Sequence, residues 1–288
     1  MWVMLANPSA RHAKAETFRQ LHQRDHAFII PNPWDAGTAR LLAYLGFEAL
    51  ATTSMGCAFS HGRTDYSLGR DEALAYAAEI VAAVPLPVSA DLENGFGDSP
   101  ESAAETIRMA GEAGLAGGSI EDAARRPEAP IYELPHAADR IRAAVEAARR
   151  LPFPFTLTAR AENYLWGRPD LDDTVQRLQA FQEAGADVLY APGLRTREEI
   201  AAVVSGVDRP VNVVMGLRGV RLSVAELSAL GVKRISVGSA LCRAALSTLL
   251  RAAREMRENG TFEWAAEAGD PRELARMFEA SAQTRTAS

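Results

Sequence analysis

Two short apolar runs of this 288-residue chain end in carboxylates. Val88-Ser89-Ala90 leads into Asp91-Leu92-Glu93, and Gly118-Ser119-Ile120 leads into Glu121-Asp122. Alternate residues of an extended segment point to the same side. The spacing therefore predicts that Asp91 and Glu93 face one point, with Glu121 joining them from the next run. Hard oxygen donors at neighbouring strand ends suit a divalent cation such as Mg²⁺, or Mn²⁺ on the same donors. Polar turn residues explain any one of these carboxylates equally well. Their repetition at the ends of two consecutive runs favours the metal.

Other chemistry-bearing residues follow apolar runs in the same way. Thr52-Thr53-Ser54 closes one run, and its hydroxyls and backbone amides suit a carboxylate or phosphonate, or simply a turn. Asp65 lies in the loop beyond. Arg160 ends the run Phe155–Ala159, where an arginine needs an anion because burying it unpaired is costly. Its planar fork fits a substrate carboxylate, or else it pairs with Glu121 or Glu162. Asn212 interrupts the apolar run 211–214, as a satisfied core amide or as a ligand donor. Gly238-Ser239 opens a helix, where phosphate binding is conceivable but close packing is the simpler reading.

Something must hold these residues at one place. β-like runs fall near 26–31, 48–53, 86–91, 116–121, 154–160, 186–191, 210–215 and 233–237. Amphipathic stretches lie between them at 35–45, 70–83, 100–113, 135–150, 171–184, 195–204 and 223–230. Eight alternations predict a (β/α)₈ TIM-type barrel, with its chemistry at the C-terminal strand ends. An open doubly wound sheet is the alternative. Residues 239–258 read as a long helix stopped at Asn259-Gly260. This divides the chain into a barrel over 1–258 and a C-terminal helical extension over 259–288. Trp264, Leu274, Met277 and Phe278 give that extension an apolar side that needs a surface to cover.

Composition narrows the field. With 48% hydrophobic residues and a net charge of −6, the chain shows no basic patch for nucleic acid. No apolar run is long enough to span a membrane, and the first residues lack a signal-peptide pattern, so a cytoplasmic location is expected. Cys57 and Cys242 fit no zinc spacing. The two lysines, Lys14 and Lys233, sit in a leading helix and at the start of a strand, which argues against Schiff-base chemistry.

Four segments together resemble the isocitrate lyase/phosphoenolpyruvate mutase superfamily over roughly residues 15–258. They are Asn32–Arg40; Thr52-Thr53-Ser54 with Gly62–Asp65; Asp91–Gly97; and Gly118–Asp122 with Thr158-Ala159-Arg160. The resemblance implies a modified barrel whose eighth helix is exchanged between subunits of a homodimer or homotetramer. It implies Mg²⁺ at Asp91, Glu93 and Glu121, partly through water. It places the substrate's carboxylate and oxo group at Thr52–Ser54, its carboxylate on Arg160 and Asp65 close by. The shared chemistry makes or breaks a bond next to a 2-oxo acid through an enolate of the pyruvate type.

The departures decide the reaction. Isocitrate and methylisocitrate lyases carry a cysteine in the loop after the fourth strand, phosphoenolpyruvate mutases an asparagine and phosphonopyruvate hydrolases a threonine. Here residues 122–136 contain none of these; Arg125, Arg126, Tyr132 and His136 are the candidate lid groups. The preferred reading is a Mg²⁺-dependent lyase or decarboxylase cleaving a C–C bond of a small 2-oxo or 2-hydroxy dicarboxylic acid. Asp65 and Arg160 are its catalytic candidates, Thr53, Ser54, Arg160 and Asn212 its substrate contacts, and Asp91, Glu93 and Glu121 its metal ligands. The alternatives are a P–C bond enzyme acting on a phosphonate, and a non-catalytic barrel that binds a 2-oxo acid.

Overall fold

In a computed structural model the described residues are 8–217 and 219–286. Helix α1 (Pro8–Leu21) precedes the barrel. The wall strands are β1 (Phe28–Ile30), β2 (Leu50–Ala51), β3 (Val88–Asp91), β4 (Gly117–Glu121), β7 (Thr156–Arg160), β8 (Val188–Tyr190), β9 (Val211–Val214) and β10 (Arg234–Ser236), all parallel. Their order around the sheet is β1-β10-β9-β8-β7-β4-β3-β2. At the seam the Ala51 amide donates to Pro31 O at 3.0 Å, so the barrel is nearly closed. All eight expected strands are present and the open sheet is excluded.

Between the strands run α2 (Ala36–Tyr44), α4 (Arg70–Ala83), α5 (Pro100–Glu112), α6 (Leu134–Arg149), α7 (Leu171–Glu183), α8 (Arg197–Ser205) and α9 (Val224–Ala229). Their first turns are set by side-chain caps. Ser99 Oγ accepts from Ser102 N ahead of Pro100, and Thr196 with Glu199 and Ser223 with Glu226 form reciprocal capping boxes. Two elements depart from the sequence reading. Thr53 caps a short helix α3 (Ser54–Ser60), which the sequence reading did not place. Residues expected to form a lid loop pair instead as an antiparallel hairpin, β5 (Ala123–Arg126) with β6 (Ala129–Ile131).

The core fills the barrel and the shell between wall and helices. Phe18 of α1 closes the N-terminal end, and this closure depends on Gly117 in β4. A Cβ there would lie 2.6 Å from Thr156 O and 2.8 Å from the Phe18 ring. Beyond the wall, α10 (Ala240–Asn259) ends on Gly260 in the left-handed conformation (φ 69°). A 3₁₀ turn (Glu263–Glu267) leads to α11 (Pro271–Thr286), which packs against α2. Along α10, Leu241, Leu249, Leu250 and Met256 remain exposed, as do Phe262 and Leu274 beyond it. Among the described residues no helix is long and apolar enough to cross a membrane.

Candidate active site at the C-terminal barrel face

β3, β4 and β7 run side by side and deliver their last residues to one place. Arg160 is the hub. Its Nη1 donates to Asp91 Oδ1 at 2.9 Å, its Nη2 lies 3.1 Å from Glu121 Oε2, and its Nε donates to Glu162 Oε1 at 2.9 Å. The sequence offered Arg160 either a substrate or Glu121/Glu162; in the structure it grips both glutamates and Asp91 as well. Glu162 is held in turn by Asp122, which accepts the Glu162 amide (2.8 Å) and is itself paired with Arg177 (3.0 Å). Asp91 is fixed from the β2 side: its amide donates to Thr52 Oγ1 (2.9 Å), and the Ser54 amide donates to its Oδ2 (3.3 Å).

Glu93 does not sit where strand alternation puts it. β3 ends at Asp91, and Glu93 has φ 50°, so the period-two rule no longer applies there. Its carboxylate turns to Arg125 of the hairpin, Nη1 to Oε2 at 2.8 Å. Glu93 is thus drawn to one guanidinium, while Asp91 and Glu121 share another. Among the described residues no three His, Cys, Asp or Glu side chains are grouped to hold a metal ion by themselves.

The surroundings nonetheless favour added positive charge. Five carboxylates (Asp65, Asp91, Glu93, Glu121, Glu162) face two guanidinia (Arg125, Arg160), and Glu121 Oε1 and Glu162 Oε2 are buried without a hydrogen-bond partner. Burial raises the Glu121 carboxyl well above its ordinary value. Burial and then the charge of Asp91 push Glu93 to about 7, and burial pushes Glu162 to about 7. Asp65 is raised by burial and by Asp91. A cation that keeps most of its own water needs only one or two carboxylates from the protein. Asp91 fits that role, because among the carboxylates gathered on Arg160 it is the one that lines the cavity and is partly exposed.

The cavity measures about 170 Å³ and reaches down the barrel axis. Thr52, Thr53, Ser54, Asp65, Asp91, Arg160 and Asn212 all line it. Thr53 Oγ1 is committed to capping α3, and the Asn212 amide is committed to the wall, donating to Ser236 Oγ at 3.0 Å and accepting from Arg234 Nε at 2.9 Å. The phosphate reading of Gly238-Ser239 is removed: the Val237 and Gly238 amides both donate to Asn32 Oδ1 at 2.9 Å. Lys14 and Lys233 bond backbone carbonyls of Val84 and Arg24 and do not line the cavity. Cys57 is buried and its thiol is pushed up to about 12, as expected for an inert sulfur.

Of the lid candidates only Arg125 reaches the site. Its guanidinium lies 4.8 Å from the Tyr66 ring centre and donates to Asn94 Oδ1 at 2.6 Å. Tyr132 and His136 turn instead to Asp98, at 2.5 Å to its carboxylate and 2.9 Å to its carbonyl. Tyr66, Glu93, Phe96 and Arg125 are the four described non-glycine residues with positive φ, and all lie at this face, the first three in loops and Arg125 at the register shift of β5. Strain of that kind gathers where a surrounding framework imposes a working geometry. Sequence reading missed Tyr190, Ser236 and Arg234, because aromatic and polar residues inside β-like runs carry no motif, and Tyr66, which lies alone in a loop.

A parallel barrel with an acidic cluster and an arginine at its C-terminal strand ends is the layout of a barrel enzyme for small anionic substrates. The chain belongs to the phosphoenolpyruvate phosphomutase family, whose profile matches residues 18–257, and so to the isocitrate lyase/phosphoenolpyruvate mutase superfamily. It is 63% identical to a candidate lyase/mutase of known structure from Burkholderia cenocepacia J2315, with a TM-score of 0.92 over 94% of this chain and 97% of that one. It is 30% identical to the 2,3-dimethylmalate lyase of Eubacterium barkeri over 75% of this chain and 77% of that protein. It is 28% identical to an oxaloacetate decarboxylase of Chromohalobacter salexigens, over 88% of each chain. Lyases, decarboxylases and phosphonomutases make up this superfamily, which supports a C–C or P–C bond enzyme.

Proposed function

We propose that this protein is a Mg²⁺-dependent lyase or decarboxylase that cleaves a C–C bond of a small 2-oxo or 2-hydroxy dicarboxylic acid. The observation that carries the reading is the surplus of buried carboxylate, with Glu121 Oε1 left without a partner, beside a cavity lined by Asp91 and Arg160. Asp91 would hold the metal, with Glu93 and Glu121 as the neighbouring carboxylates that would complete its surroundings. When bound, the cation supplies Lewis-acid stabilisation of the oxyanion that develops on a 2-oxo acid as its neighbouring bond breaks.

The chain's own groups do the rest. Ser54, at the start of α3 and lining the cavity, orients the substrate carboxylate together with Arg160 by turning from its resting partners Asp91 and Asp65. Asp91, Glu121 and Glu162 hold the Arg160 fork at fixed orientation, so it meets the developing negative charge without reorganising. Asp65, whose carboxyl is raised by burial and by its neighbour Asp91, supports the site and is placed to exchange a proton at the cavity edge. Arg125 draws the hairpin over Glu93 and Tyr66 and shields that side from water.

The exposed apolar side chains of α10 support a homodimer or homotetramer in which this helix meets a second copy. A purified sample running as a monomer in light scattering would remove that part.

The test is a panel of 2-oxo and 2-hydroxy diacids assayed for 2-oxo acid product with Mg²⁺ and with EDTA. Metal-dependent turnover of one diacid is expected, and an unchanged rate in EDTA refutes the reading. The family name favours a second reading, P–C chemistry on a phosphonate. Phosphorus NMR of phosphonopyruvate incubations separates the two: a moved or released phosphorus signal assigns P–C chemistry.

A further inference from the structure

One charge in the barrel has no counter-ion. Arg234 opens β10 and is 5% exposed, yet it lines the same cavity as Asp91 and Arg160. Its Nε donates to Asn212 Oδ1 at 2.9 Å, and its Nη1 lies 3.4 Å from His22 Nε2. Both partners are neutral, and among the described residues no carboxylate pairs with it. His22 keeps its proton on Nδ1, where it donates to Phe18 O at 2.8 Å, so its Nε2 can only accept. Burial, with a smaller contribution from the charge of Arg160, lowers the Arg234 guanidinium to about 10.

Strand register explains why two arginines look into one space. Glu121 pairs with Arg160, Arg160 with Tyr190, Tyr190 with Asn212, and Asn212 with Arg234. Paired residues of parallel strands share a face, so this row runs around the inside of the wall. Because barrel strands tilt, the row descends from the carboxylate cluster at the mouth to Arg234 at the floor. Arg160 is neutralised by three carboxylates at the upper end, whereas Arg234 at the lower end is not. A buried cation without an anion is costly, and the cost falls when a ligand brings the anion.

We propose that Arg234 is the floor of the substrate site and binds the distal carboxylate of a dicarboxylic acid whose other end lies at Ser54 and Arg160. The inference rests on the reading of this cavity as a 2-oxo acid site. It makes Arg234 the residue that separates long diacids from short ones. The space between the ends is walled by Ile30, Ala90 and Val214, which suits a short carbon chain.

Calorimetry with MgCl₂ tests it, using oxalate as the short probe and malate as the long one, on the wild type, Arg234→Met and Arg234→Lys. Methionine keeps the stem and removes the charge. Malate should weaken roughly 10- to 100-fold in Arg234→Met, the loss of a charged hydrogen bond. Oxalate should stay within about twofold, and lysine should restore part of the malate affinity. A crystal structure of the wild type with Mg²⁺ and malate, which needs no variant to fold, should put the distal carboxylate within hydrogen-bonding distance of Arg234. Equal weakening of both probes, or of neither, overturns the proposal, as does a malate carboxylate bound away from Arg234. If neither probe binds the wild type, the 2-oxo acid reading fails first and takes this inference with it.

Discussion

The two walls of the cavity are opposites. On the β3-β4-β7 side, carboxylates outnumber guanidinia and two buried carboxylate oxygens lack partners. On the β9-β10 side, one guanidinium stands among neutral groups: Asn212, Ser236 and His22. Both walls are buried, so neither imbalance is relieved by bulk water. The acidic wall favours a cation and the basic wall an anion. On the proposed reading a metal with a dicarboxylate would meet both needs and fix which end of the substrate faces the chemistry.

The comparison can be broken most sharply at Asp91. Asp91→Ala should lower metal-dependent turnover about 10³-fold or more, since it removes the one carboxylate held by Arg160 that is open to the cavity. Steady-state assays across a Mg²⁺ titration check this, and wild-type rates in the variant would end the acidic-wall argument.

Arg160→Met comes next. It leaves Asp91, Glu121 and Glu162 without their shared cation, and breaking a buried pair from one side costs about 3–5 kcal/mol. Urea denaturation should show that loss; a change under about 1 kcal/mol would mean the cluster relaxes by taking up protons.

The basic wall is tested through His22, which is lowered to about 3 by burial and then by Arg234. Its folded value lies below its unfolded one, so its contribution is present above about 6.5 and is lost as pH falls toward 3. Wild-type stability should decline by a few kcal/mol through that window. His22→Gln should flatten this part of the profile, and an unchanged slope would show that the decline arises elsewhere. The smallest effect is expected at Arg125→Ala, which exposes Glu93 and removes its ion pair. A cost of about 1–3 kcal/mol in urea is expected, and none at all would mean the hairpin is held by Tyr132 and Asp98 alone.

Much of the frame was legible in the residue order. Apolar runs of strand length separated by amphipathic stretches marked all eight strands. The α3 helix was hidden because seven residues hold too few turns to show a period. The β5-β6 hairpin was hidden because it carries no Asn-Gly or Asp-Gly turn and little alternation. Arg125 could be named as a lid group but not singled out from Tyr132 and His136, since only the hairpin's pairing decides which side chain faces Glu93.

What the chain order determined by itself is the placing of carboxylates and an arginine at the ends of successive parallel strands, because strand ends follow directly from the hydrophobic pattern. What only the tertiary structure decided is the pairing. Arg160 takes three acids, Glu93 leaves for Arg125, and Arg234 is left with none. Pairing depends on strand register, on backbone turns such as the one at Glu93, and on which groups burial cuts off from water. Those quantities exist only once distant segments have been brought together.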